Sequence, residues 1–124
     1  MPHCILEYSA NIPEAFNTRD FFSGLHRILA GFPSIDLERI KSRAIRQADF
    51  MIGSGASNRA FISLQISLMS GRSEELRQKL ASDAHAFLHD HFAGAISELD
   101  CSVSVEIREI DRGTFISLTG RSVS

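Results

Sequence analysis

Two cysteines, no long apolar run and no block of like charge are the shortages that first narrow this chain. Cys4 and Cys101 stand far apart, which suits a reducing compartment with both as buried thiols. No apolar stretch approaches the ~20 residues of a membrane span. The opening Met1-Pro2-His3-Cys4-Ile5-Leu6-Glu7 lacks the basic and apolar regions of a secretory leader. The expectation is a cytoplasmic protein with no membrane contact. A net charge of −2 with no basic tail offers no general attraction for nucleic acid. Any anionic ligand must be held by a local cluster of Arg or Lys. The Gly53–Gly55 stretch has neither the long glycine pattern nor the Lys of a phosphate cradle and reads as a turn. His85 and His89 stand four apart on a predicted helix, but no carboxylate-plus-His motif accompanies them. They read as a solvated or interface face, with no metal site expected.

What is present is the composition of an ordinary globular domain, 44% hydrophobic and 23% charged. A chain of 124 residues is one domain, 1–124, able to bury about two-thirds of its unfolded surface. The first eight residues predict a strand, with Ile5 on one face and Cys4, Leu6 and Tyr8 on the other. From Thr18, Phe21, Phe22, Leu25, Ile28 and Leu29 recur at helical spacing. Thr18 reads as the N-cap, and Gly31 followed by Pro33 ends the helix. A second strand is expected over 40–47, then a loop over 49–58. Ile62, Leu64, Ile66 and Leu68 alternate with Ser63, Gln65 and Ser67, the clearest strand in the chain. Ser73 with Leu76, Leu80, Ala84 and Phe87 predicts a capped amphipathic helix to about Phe92. Val103, Val105 and Ile107 alternate with polar residues in a final long strand, and Thr114–Leu118 has the pattern for a short one. Phe21, Phe22, Phe87 and Phe92 are expected in the core.

The order strand, helix, strand thus occurs twice, over about 1–48 and 59–118. Helices between strands imply parallel βαβ crossovers. The expected fold is α+β: two pseudo-repeated βαβ units forming one four-stranded sheet with two helices on one face. The opposite face would be partly polar and in want of a partner, most simply another copy.

Pro2 directly after Met1, heading a strand, resembles the tautomerase superfamily. Gly71-Arg72-Ser73-Glu74-Glu75-Leu76-Arg77-Gln78-Lys79-Leu80 is similar to the turn and helix start of 4-oxalocrotonate tautomerase. Over nearly the whole chain the likeness is to the 5-carboxymethyl-2-hydroxymuconate isomerase family. It is carried by Met1–Glu7, the Phe32-Pro33 turn, Ile40-Lys41-Ser42-Arg43 and Gly71-Arg72-Ser73 in similar order and spacing. The resemblance implies a homotrimer of βαββαβ subunits with no metal or organic cofactor, acting in homoprotocatechuate breakdown on a small polyanionic dienol carboxylate. It also implies Pro2 as the catalytic residue and Arg72, Lys41 and Arg43 as substrate-binding residues. Similar proteins carry arginine where this chain has Lys41. Lysine keeps the charge but not the bidentate fork, and Arg43, two residues along the strand, faces the same side.

Such a reaction needs one group that takes a proton and returns it to a distant carbon. Pro2 freed of Met1 is a secondary amine on a fixed ring. An apolar pocket and nearby cations disfavour its ammonium form, leaving a base at neutral pH. The same cations would hold carboxylates and stabilise charge on the forming carbonyl. Taken singly these residues say less: a strand's first position tolerates proline, and Lys41 and Arg43 also suit a surface or interface. Arg72 at a helix start is electrostatically unfavourable, which points to another reason for it. His3 alternates away from Pro2 and reads as structural or interfacial, and Cys4 has no visible base partner. Two rival readings keep the scaffold. One is a decarboxylase or dehalogenase that activates water with Glu7, Asp49 or Glu106. The other is a non-catalytic trimeric binding module.

Overall fold

The alternation in the third strand organises the molecule, a computed structural model that describes residues 1–13 and 17–118. The strands are β1 (His3–Ser9), β2 (Lys41–Gln47), β3 (Arg59–Met69) and β4 (Asp100–Ile110). The helices are α1 (Thr18–Ala30), α2 (Glu74–His91) and a short α3 (Ala93–Glu98). Ala60, Ile62, Leu64, Ile66 and Leu68 of β3 are all buried, while the residues between them are not. Period-two alternation puts every apolar residue of such a strand on one face. β1 pairs with β2 in parallel, β1 with β3 antiparallel and β3 with β4 in parallel, giving the order β2-β1-β3-β4. Each half is therefore a parallel βαβ unit, and the two halves meet along β1 and β3.

Both long helices lie on the same face of the sheet. Phe21, Leu25 and Leu29 of α1 and Leu80, Ala84 and Leu88 of α2 share one core with Cys4, Leu6, Ile62, Leu64 and Ile66. Full burial of each large apolar side chain contributes about 1.5–3 kcal/mol, so this shared face is the main source of stability. Gly24 allows the helices to meet closely, since any Cβ there would run into the Phe87 ring. Phe87 in turn stacks on Phe21, centroids 5.3 Å apart. Phe21 and Phe92 are core residues, whereas Phe22 and Phe87 are only partly buried against it. No helix among the described residues is long and apolar enough to cross a membrane.

The opposite face is polar, as expected. Register places His3, Ile5 and Glu7 of β1 beside Lys41, Arg43 and Ile45 of β2 on one side, and beside Ser67, Gln65 and Ser63 of β3 on the other. Ile45 is 43% exposed there.

Two local expectations are corrected, and one element is additional. Asn17, not Thr18, caps α1: its side chain accepts from Arg19 N at 2.9 Å and Asp20 N at 3.2 Å. Asn and Thr are both good caps, and the one a residue earlier wins by satisfying two free amides. The stretch after β4 forms no strand. Asp111 accepts from Gly113 N at 3.0 Å and closes a 3-10 turn over Arg112–Thr114, after which Ile116 and Leu118 are 96% and 81% exposed. Finally, α3 follows α2 with no side-chain cap to announce it. Asn17→Ala should lower unfolding free energy by about 1 kcal/mol, and Thr18→Ala should leave it nearly unchanged, in urea titrations followed by circular dichroism.

Candidate active site

Topology gathers four distant parts of the chain at one end of the sheet. Because β1 runs antiparallel to β3, His3 at its start lies opposite Ser67 near the end of β3. The parallel strand β2 starts beside it, with Lys41 opposite His3. β4 ends level with β3, Ile110 opposite Met69. Between these ends lies a cavity of about 480 Å³. Met1, Arg39, Lys41, Arg72 and Arg112 all line it, and among the described residues no Asp or Glu does. Leu68, Met69 and Phe115 supply its apolar wall. A protein of net charge −2 has thus collected cations at one site.

Backbone carbonyls hold most of this charge in place. Arg72 donates through Nη1 to Met69 O and through Nη2 to Ser34 O, both at 3.3 Å. Its Nε is buried with no hydrogen-bond partner among the described residues. Gly71 makes this possible, because the turn that presents Arg72 has φ +121° there, a conformation that only glycine adopts freely. Ser34 has a left-handed φ of 66°, strain of about 1–3 kcal/mol of the kind found at functional sites. Lys41 Nζ donates to Arg39 O at 3.4 Å. Asp36 is the nearby carboxylate, 3.6 Å from Arg39 Nε.

Pro2 lies immediately behind the cavity. Its side chain is fully buried, and its carbonyl accepts from Lys41 N at 3.0 Å. Its nitrogen is acylated by Met1, whose own ammonium donates to Arg39 O at 2.9 Å. Burial first, then Lys41 and Arg39, lower the pKa of that ammonium, with Asp36 opposing. The surroundings of the N-terminus therefore favour a neutral amine.

His3 belongs to the cavity wall as well, a place that its reading as structural or interfacial did not specify. Arg43 Nη1 lies 3.2 Å from His3 Nδ1. A guanidinium only donates, so Nδ1 accepts and the ring proton sits on Nε2. Burial, then Arg43, Lys41 and the N-terminus, lower the imidazole pKa, keeping the ring neutral. Of the expected site residues, then, Lys41 and Arg72 line the cavity together, and Pro2 is tied to Lys41 through its backbone carbonyl. Arg43 faces the same side as Lys41 but lies one step further up the sheet and reaches the site only through His3.

Other candidates fall away. Cys4 is buried and its thiol is pushed up to about 11 by burial. None of Glu7, Asp49 and Glu106 lines the cavity. Glu7 accepts from Gln47 Nε2 at 2.7 Å and Glu106 from Arg108 Nε at 3.1 Å. His85 Nε2 is 3.2 Å from Val103 O, and the described residues contain no group of His, Cys, Asp and Glu fit to hold a metal. Arg39, Arg112, Ser34 and Phe115 escaped the sequence reading. Arg39 sits two residues before Lys41, a local signal that was available. Arg112 and Phe115 reach the cavity only through the β3–β4 register, and nothing adjacent in sequence announces them.

A family model described as 5-carboxymethyl-2-hydroxymuconate isomerase matches residues 2–118. The chain belongs to that family. It is 28% identical over 110 residues to the 5-carboxymethyl-2-hydroxymuconate Delta-isomerase of Escherichia coli, covering 89% of this chain and 87% of the relative. The crystal structure of a 5-carboxymethyl-2-hydroxymuconate isomerase from Deinococcus radiodurans R1 superposes with a TM-score of 0.87 at 29% identity, covering 96% of this chain and 90% of that one. A fused 4-OT wild type symmetric trimer gives 0.73 at 15% identity over 95% of this chain and 92% of that one, a likeness of fold alone. As a member of the 5-carboxymethyl-2-hydroxymuconate isomerase family the protein is an enzyme, an isomerase with the tautomerase-like fold. In this isomerase the two free thiols should separate cleanly in a thiol-reagent titration. Cys101, only partly buried but with its thiol pKa raised by burial and by Asp100, should react slowly in the native protein, and fully buried Cys4 only on unfolding, since reagent access separates the two.

Proposed function

We propose that, once Met1 has been removed, this isomerase ketonises 5-carboxymethyl-2-hydroxymuconate or a close 2-hydroxydienoate in aromatic-acid breakdown in the cytoplasm. The observation that carries the reading is a cavity at the N-terminus lined by several cations and, among the described residues, by no carboxylate. In the reaction the 2-hydroxyl proton leaves and its electron pair becomes the carbonyl. The diene shortens to one double bond conjugated with that carbonyl, and a proton is added at the distant carbon. The Pro2 amine takes the first proton and delivers the second, so no net acid or base is consumed. Its lone pair is steered by the ring, whose position is set by burial and by the Pro2 O to Lys41 N hydrogen bond. Arg72 and Lys41 bind carboxylates and stabilise charge at the carbonyl end. The names of the Escherichia coli and Deinococcus radiodurans relatives support this substrate. The polar sheet face and the trimeric 4-OT fold relative support a homotrimer.

The first test is an ultraviolet assay of ketonisation with protein confirmed by intact mass to begin at Pro2. Rapid turnover is expected, lost in Pro2→Ala with Met1 removed. Equal rates for the two proteins would sink the Pro2 mechanism. Arg72→Ala should cost about ten- to a hundredfold in kcat/KM, the value of one hydrogen bond to a charged group at about 1.5–3 kcal/mol. The pH profile carries a sign. The working base is the neutral amine, so kcat/KM should rise with pH to a plateau. Burial and cations disfavour the ammonium form, so the midpoint should lie below that of an ordinary terminal amine. Lys41→Ala removes one of those cations and should move the midpoint upward.

A further inference from the structure

We propose that Arg112 is a second guanidinium arm of this cavity and selects a tricarboxylate over a dicarboxylate. The inference rests on the polyanion reading of the same site. Arg112 stands two residues beyond the end of β4. The β3–β4 pairing runs to Met69 opposite Ile110 and continues with Ser70 N donating to Ile110 O at 2.9 Å. Arg112 is thereby delivered to the Ser70–Gly71 turn, where its Nε donates to Ser70 O at 2.6 Å. Arg72 hangs from the preceding carbonyl, Met69 O, at 3.3 Å. Two guanidinium groups are thus tethered to consecutive carbonyls at one strand end, and both line the cavity.

The terminal nitrogens of Arg112 make no hydrogen bond and no ion pair with the described residues. Gly71 offers them bare backbone: a Cβ there would stand 3.8 Å from Arg112 Nε and 3.9 Å from Nη2. Neighbouring guanidinium groups repel unless an anion lies between them, and a planar fork suits a carboxylate bidentately. The proposed dienol carries three carboxylates, two ending the chain and one on the carboxymethyl branch. Arg72 and Lys41 account for two. Arg39 is already beside Asp36 at 3.6 Å, which leaves Arg112 as the free fork for the third.

Calorimetry reads this without catalysis, using the full chain beginning at Pro2 and two saturated probes, tricarballylate and glutarate. The wild type should bind tricarballylate more tightly. Arg112→Ala should weaken tricarballylate roughly tenfold or more while changing glutarate by at most about twofold. Arg112→Lys should recover part of the loss, because charge returns without the fork. Matching circular dichroism spectra and melting curves establish that the variants are folded. Equal weakening of both probes, no change in either, or a wild type without preference overturns the proposal. In turnover, Arg112→Ala should raise KM for the tricarboxylate dienol and spare that for 2-hydroxymuconate. A wild type unable to ketonise either dienol would count against the proposed reaction. The calorimetric preference would still stand or fall on Arg112 alone.

Discussion

Everything at the active end of this protein depends on the antiparallel pairing of β1 with β3. Each half could form its parallel βαβ unit without reference to the other, but neither half alone makes a cavity. The register that sets His3 against Ser67 and Leu6 against Leu64 does two things at once. It aligns the buried faces so that both helices share one core, and it sets the start of the chain beside the end of β3. A slip of one residue would turn Leu6 outward and Ile5 inward. It would also carry Pro2 away from the Arg72 turn. Fold and site are therefore specified by the same contact, and the apolar alternation that stabilises one positions the other.

Collecting like charge has a cost, which this structure offsets with peptide dipoles. Met1, Lys41, Arg72 and Arg112 each donate to a backbone carbonyl. Such bonds anchor a cation without neutralising it. An Asp or Glu in the same role would leave a closed ion pair with little pull on a ligand. Most of the acidic pairing lies elsewhere, as in Lys79 with Asp83 at 3.1 Å and Arg77 with Glu109 at 3.6 Å. The local field is thus set by where the carboxylates are kept out.

The legible parts of the sequence were those with short-range causes. Strand alternation in 62–68, the Ser73 cap and the Gly71-Arg72 turn each depend on a few neighbours, and each is found as read. Lys41 and Arg72 were pointed to by the family resemblance, and the structure brings them together at one cavity. Asn17 against Thr18 was a choice between two competent caps one residue apart, which propensity alone does not decide. Arg43 was rightly placed on the face of Lys41, but a strand advances about 6.6 Å over two residues, enough to carry it past the cavity. Arg112 lay beyond reach because its position depends on a strand register established across some forty residues of intervening chain. Phe115 was read into a strand because its segment alternates, although alternation without a neighbouring edge to pair with forms nothing.

The placement of Met1 in the cavity wall has a consequence for how the protein is matured and handled. Any extension of the polypeptide upstream of residue 1 must start from inside the site. An affinity tag, a fusion partner or an uncleaved leader fused at that end would plug the space meant for the ligand while leaving the four-stranded sheet intact. A sample could then be well folded, homogeneous and inert. Under the proposed Pro2 mechanism the step that completes the site is trimming by a peptidase rather than folding, so expression host and vector design enter directly into its test.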